Sequence, residues 1–272
     1  MTLATIARRD PRIFQIASLA SLLLYGMVRL GFDVSPARAA LLLASTVTTQ
    51  ILCSRVAGLP AVDLKSALIS GLSLCLLLRT NSGALAVATA VVAIASKFLL
   101  RWNGKHVFNP TNFGLVAMML ASDRVWVSPG QWGSAAFFGF LLACLGGIVV
   151  NRAARSDVTI AFLAAYAGLV FARSLWLGEP MTIPIHRLQN GALLIFAFFM
   201  ISDPRTTPDR RAGRVIFALV VALGAAFVQF RLFRTNGLLW SLAVFAPAVP
   251  LIDWLLPAAP HRWPAAPLRR SE

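Results

Sequence analysis

The chain of 272 residues is 58% hydrophobic and 13% charged, where an ordinary soluble domain carries roughly 25% charged residues. Its formal net charge of +15 comes from lysines and arginines set singly between apolar runs, with no contiguous basic helix or aromatic-studded basic domain. The composition excludes a nucleic-acid-binding class and points to a polytopic membrane protein whose first partner is the lipid bilayer. Cys53, Cys75 and Cys144 lie in apolar runs without Cys-x-x-Cys spacing, which speaks against disulfides, zinc or iron–sulfur ligation.

In chain order, the apolar runs predict ten segments at 12–32, 36–58, 64–79, 83–101, 109–122, 132–151, 157–177, 187–202, 213–230 and 236–256, an all-α architecture of about ten transmembrane helices. The first follows "RRDPR" without a small-residue cleavage site and reads as a retained helix. With the N-terminus inside, Arg8, Arg9 and Arg12, the Lys97–Lys105 region, Arg152, Arg155 and the Arg205–Arg214 cluster all fall on one side. The positive-inside rule makes that side, and both termini, cytoplasmic. Segments three and eight are short with polar starts, "LKSALISGL" and "LQNGALLIF", and segments five and ten share "FNPTNFGL" and "FRTNGLLW". Both pairs are offset by about 125 residues, which suggests a five-segment duplication. An odd number of spans per copy inverts the second copy, giving two inverted five-helix repeats at about 12–122 and 132–256, followed by a tail at 257–272. Short, interrupted helices at matching places point to a midplane site. Chance similarity of oily segments is the competing reading.

Several stretches carry polar groups that call for weighing a structural reading against a functional one. In "KHVFNPTNFG", Asn109 before Pro110 is a favoured helix cap, but His106, Thr111 and Asn112 add hydrogen-bonding groups at the same end. The plain reading is a capped helix start; the functional one is a site for a planar polar ligand beside Phe108. In "MISDPRTTPDRRAGR", Asp203 and Pro204 signal a turn and Arg210, Arg211 and Arg214 suit a cytoplasmic loop, while Asp203, Arg205 and Thr206 are placed to line a polar cavity. Asn190 lies in the polar start of the eighth segment. Lys97 and Asp253 read first as snorkelling side chains, Asp253 beside a Trp254 interface anchor, and Lys97 second as a ligand contact. No nucleotide-binding loop, zinc-protease motif or nucleophile elbow is present in the sequence, so nothing points to ordinary hydrolytic or nucleotide-binding chemistry.

The order of "SALISGLSLCLLL", "ASKFLLRWNGKHVFNPTNFG", "GALLIFAFFMISDPRTTPDRRAGRVIFA" and "VPLIDWLL" from about Leu64 to Trp254 resembles the D subunit of the Rnf electron-transport complex, a family that includes the B subunit of the sodium-translocating NADH:quinone oxidoreductase. The resemblance implies ten helices in two inverted repeats, a fold similar to that of urea channels, in the bacterial inner membrane. It also implies flavin, carried in the family as FMN on a threonine in an extracytoplasmic loop and in some members as non-covalent riboflavin. Here that loop is reduced to "SDRVWVSPGQ", Ser122 to Gln131, without threonine. The expectation is a short relative with non-covalent riboflavin or FMN, contacted by residues among Lys97, His106, Phe108, Asn109, Thr111, Asn112, Asn190, Asp203 and Thr206, with other redox proteins or a second copy as partners. The alternatives are a channel or transporter for a small polar solute, flavin- or urea-like, in the same cavity, and a non-catalytic anchor for redox proteins.

Overall fold

Short polar residues fix where most of the first helices begin, because each replaces one of the hydrogen-bond partners that a helix start lacks. The computed structural model describes residues 10–127 and 155–261. The Asp10 carboxylate accepts from the Arg12 N–H to open α1 (Pro11–Arg29), and the Ser35 hydroxyl accepts from the Arg38 N–H to open α2 (Pro36–Val56). Asp63 does the same for α3 (Leu64–Leu77), Ser82 for α4 (Gly83–Leu99) and Asn109 for α5 (Pro110–Ala121). The second half contains α6 (Ser156–Leu177), α7 (Thr182–Leu188) and α8 (Gly191–Ile195), the last running into a π-helical turn at Phe196–Met200. Then come α9 (Arg211–Phe230), α10 (Gly237–Phe245), a 3₁₀ turn at Ala246–Ala248 and α11 (Val249–Leu255).

These elements follow the predicted segments closely, apart from the one at 132–151, which lies outside the described residues with most of the tail, Cys144 and Arg152. The chain is a multi-pass helical membrane protein. Among the described residues, five helices are long and apolar enough to cross a membrane by length and composition, or six if the bent pair α7 and α8–Met200, angled by 50°, forms one broken span. By contrast α5 has 12 residues, about 18 Å at the helical rise, against a hydrocarbon thickness of about 30 Å.

Two departures from an all-α chain have local causes. β2 (Arg101–Trp102) and β3 (Lys105–His106) pair antiparallel across Asn103 and Gly104, both at positive φ (48° and 78°). Asn-Gly is the favoured two-residue turn for that backbone. β1 (Leu78–Arg79) pairs antiparallel with β4 (Trp126–Val127), joining the ends of α3 and α5. The π turn also has a visible partner: Ile201 N–H bonds back to Phe196 O, while the Ala197 carbonyl accepts from the Thr159 hydroxyl of α6 at 2.9 Å.

Packing joins the elements in two similar groups. α4 lies against α2 and α5, and α9 lies against α6 and α10; α5 and α10 then meet each other. The close approaches use glycine. A Cβ on Gly114 of α5 would meet Thr89 O of α4 at 3.0 Å and Ala93 Cβ at 2.6 Å, and one on Gly237 of α10 would meet Ala225 O of α9 at 2.7 Å. Between helices the core is filled by fully buried side chains such as Leu74, Ile94, Leu115, Phe162, Phe196 and Phe217.

One end of the bundle gathers most of the described ion pairs. Arg12 bridges Asp10 and Asp63, and Lys65 adds a bond to Asp10 at 2.9 Å. Lys105 pairs with Asp253 at 2.7 Å and Asp209 at 3.0 Å. Asp253 is therefore held by a lysine from the β2–β3 hairpin and by the Asp209 N–H, which overturns the snorkelling reading. Arg214, read as a loop arginine, lies in the first turns of α9 and grips Asp157 of α6 through both Nε and Nη2. For Asp10, burial alone pushes the carboxyl up, but hydrogen bonds from Arg12 and Lys65 outweigh it and hold it well below the ordinary carboxylate range. Its stabilisation is therefore fully present above the unfolded value of about 4 and lost as pH falls through the lowered folded value. Asp10→Asn is expected to cost about 1–2 kcal/mol at neutral pH, measured as a lower thermal midpoint in detergent, with the deficit shrinking as the solution is acidified.

Candidate functional site

Helix ends supply many of the polar groups inside this bundle, since backbone groups are open there. At the ion-pair end, Asn109 caps α5 by accepting from the Asn112 N–H at 3.1 Å. Its amide nitrogen points across to the end of the π turn, within 3.5 Å of Met200 O and Asp203 Oδ2. Asp203 ends that broken helix. Its Oδ1 accepts from the Arg205 N–H, and its carbonyl accepts from the hydroxyls of Thr206 and Thr207. Arg205 Nη1 lies 3.5 Å from His106 Nε2; a guanidinium only donates, so Nε2 accepts and the ring proton belongs on Nδ1. His106 Nδ1 and Asn112 Oδ1 are buried without a hydrogen-bond partner among the described residues.

His106, Asn109, Met200, Asp203 and Arg205 border a cavity of about 70 Å³. Its other wall is Ser66, Ser70 and Ser73, one face of α3 at helical spacing, with Arg12 and Asp63 at the mouth.

A second cavity opens at the far end of the bundle and measures about 390 Å³, inside the range of about 300–1,000 Å³ typical of ligand sites. Phe196, Leu193 and Leu239 line its apolar part. The Tyr166 hydroxyl donates to Gln229 Oε1 at 2.6 Å, which leaves the Gln229 amide nitrogen as a donor. Asn190 uses its Oδ1 to cap α8, which leaves its amide nitrogen as a second donor. Arg187 and Arg234 complete the lining. Phe233 and Asn236 at the entrance both have left-handed backbones, with φ of 52° and 60°. Such a conformation is costly for a bulky residue, and it turns the chain sharply into the start of α10. Met200 borders both cavities, so the π turn separates them.

The structure brings together His106, Asn109, Thr111 and Asp203 around the smaller cavity. Phe108 packs on Phe113 with ring centroids 4.9 Å apart, and Thr206 bonds to the Asp203 carbonyl. Asn112 reaches the other way, donating to Leu239 O of α10 at 3.2 Å, so it ties the two short helices together. Lys97 is 4% exposed and donates to Gln50 Oε1 of α2 at 2.9 Å; it does not snorkel. Asn190 stands apart from this group at the other cavity, a short broken helix away from Asp203. Sequence reasoning missed Tyr166, Arg187, Gln229 and Arg234. Gln229 and Arg234 lie beside or within the "FRTNG" partner of the Asn-Pro motif, whereas Tyr166 and Arg187 carry no such local signal.

The fold and its cavities define a multi-pass helical membrane protein with polar spaces at the ends of interrupted helices. A family model described as the NQR2, RnfD, RnfE family matches residues 123–260, half of the chain. The chain belongs to that family. It is similar to bacterial proteins named as the D subunit of an ion-translocating oxidoreductase complex. It is 30% identical to that of Erwinia tasmaniensis over 128 residues, 46% of this chain and 34% of the relative. For the relative from Escherichia coli K12 the figures are 28% over 132 residues, 48% and 33%, and for Salmonella paratyphi B 27% over 128 residues, 46% and 34%. The match thus spans about a third of the length of these relatives. Asn190, Asp203 and Thr206 fall within the residues matched by the family model, whereas Lys97, His106, Phe108, Asn109, Thr111 and Asn112 precede them.

Proposed function

We propose that this protein is a membrane component of an electron-transport complex that holds riboflavin or FMN non-covalently in the larger cavity, as its family membership suggests. The observation that carries the reading is the cavity itself: about 390 Å³, with aromatic and aliphatic walls for a flat ring and amide donors from Asn190 and Gln229 for its carbonyls. A flavin there supplies one- and two-electron transfer. The protein's part is to bind, orient and shield the ring. The threonine-free stretch Ser122–Gln131 supports non-covalent binding over a phosphoester. The smaller cavity, with His106, Asn109, Thr111 and Asp203, serves as a hydrated polar vestibule on the other side of Met200.

The ion-pair end faces the cytoplasm in this reading, because the basic residues collect there, and both termini lie on that side. The similar packing of α2–α4–α5 and α6–α9–α10 supports the two inverted repeats. Other redox proteins of the complex are the expected partners. The test is to purify the protein, add flavin, remove the excess and record the spectrum. Bands near about 450 nm, where flavins absorb, are expected; a preparation that retains none overturns the reading.

A second reading is favoured by one observation, that cavities from opposite ends approach each other at Met200. A transporter for a small polar solute would use this septum as its barrier. Solute flux in proteoliposomes by a flavin-free preparation supports transport; bound flavin with no flux supports the electron-transport reading.

A further inference from the structure

The larger cavity carries more positive charge than a neutral ring requires. Arg187 and Arg234 both line it, and no described carboxylate forms an ion pair with either. Glu179, on the same side of the bundle, is already bound to Arg173 at 2.9 Å and to the Ser174 hydroxyl at 2.9 Å. Arg187 is also held in place: its guanidinium lies 5.1 Å from the centre of the Phe230 ring, on which Arg173 stacks at 4.5 Å. Gly237 and Leu238, the first residues of α10, line the same cavity, so the positive end of that helix adds to the field. Asn190 and Gln229, by contrast, offer neutral amide donors. The lining therefore combines two kinds of chemistry: apolar side chains and amide donors suited to a flat carbonyl-bearing ring, and guanidinium groups suited to an anion attached to it.

We infer that Arg187 and Arg234 bind the phosphate of FMN, so that a two-arginine clamp anchors this chain's flavin without a covalent bond and selects FMN over riboflavin. The inference rests on the flavin reading of the cavity and adds the identity of the ligand's tail. Arginine suits the role because its planar, permanently charged fork matches phosphate oxygens in pairs.

The test uses the full-length protein in neutral-lipid nanodiscs, titrated separately with FMN and riboflavin while flavin fluorescence is followed. FMN is expected to bind at least about tenfold more tightly, an advantage that narrows as salt is raised. Arg187→Gln with Arg234→Gln is expected to abolish that advantage while leaving riboflavin affinity within about twofold. Arg234→Gln alone, at an exposed position, is expected to remove part of it and guards against a folding defect in the double variant. Equal affinity for the two flavins overturns the clamp but leaves the flavin reading standing, as does a variant that weakens both flavins alike. Binding of neither flavin by the wild-type protein overturns the flavin reading itself.

Discussion

Asp157→Ala lowers the stability of the protein by about 3–5 kcal/mol, the usual cost of stranding one partner of a buried ion pair. Asp157 sits in the first turn of α6, where a carboxylate is also favoured by the helix dipole. It accepts from Arg214 Nε at 2.9 Å and from Nη2 at 2.6 Å, and the two side chains are only 13% and 10% exposed. Arg214 Nη1 in turn donates to Asp209 O, so the same guanidinium fixes the loop that leads from Asp203 into α9. Removing the carboxylate leaves the guanidinium without its charge partner at the α6–α9 junction. A denaturation series in detergent should show the full loss in Asp157→Ala and a substantial recovery in the Asp157→Leu, Arg214→Leu pair, since apolar replacement removes both desolvation costs together. A loss under about 1 kcal/mol, typical of an exposed pair, would show that the pair is solvated.

Gly237→Ala should have the second-largest effect, about 1–3 kcal/mol, with loss of ligand binding at the larger cavity. The new Cβ would lie 2.7 Å from Ala225 O and 3.4 Å from Gln229 N. Both are backbone atoms of α9, so the clash is relieved only by moving a helix. Gly237 also lines the cavity, and a shifted α10 would displace Leu238, Leu239 and the Phe233–Asn236 entrance with it. Gly168→Ala is the matched control. It lies in the middle of α6 with nothing within 4 Å of its would-be Cβ, so alanine is expected to be neutral or to stabilise by up to about 1 kcal/mol through helix propensity. Equal thermal midpoints and equal flavin retention for the two variants would refute the close α9–α10 approach as a constraint on the site.

Much of the helical layout is legible in the sequence because it depends on local chemistry. Asn109 before Pro110, Ser35 before Pro36 and Asp63 before Leu64 start helices by the same side-chain bond, and apolar runs give their lengths. The Asn103–Gly104 turn is a local signal too, but it is short and follows an apolar run, so hydropathy alone absorbs its start into the fourth segment. The Phe108–Asn112 element is visibly richer in polar groups than a cap needs. Its partners lie beyond the reach of any local pattern: Asn109 meets Met200 and Asp203, Asn112 meets Leu239, and Lys105 meets Asp253, all across the fold. The snorkelling expected of Lys97 and Asp253 fails for the same reason. A charged residue near a helix end snorkels or pairs according to what faces it, and facing groups are set by packing.

Hydrophobicity, capping and motif order are properties of neighbouring residues, so the solvent, the helix starts and the family could all be read from the chain alone. The placement of the cavities could not. It took the packed fold to show that the Asn-Pro element borders a cavity of about 70 Å³, while one of about 390 Å³ opens at the opposite end around Asn190, Gln229, Arg187 and Arg234. Cavity volume is what remains after distant helices pack, and the depth of that packing depends on close contacts such as Gly114 on α4 and Gly237 on α9, which no local pattern encodes.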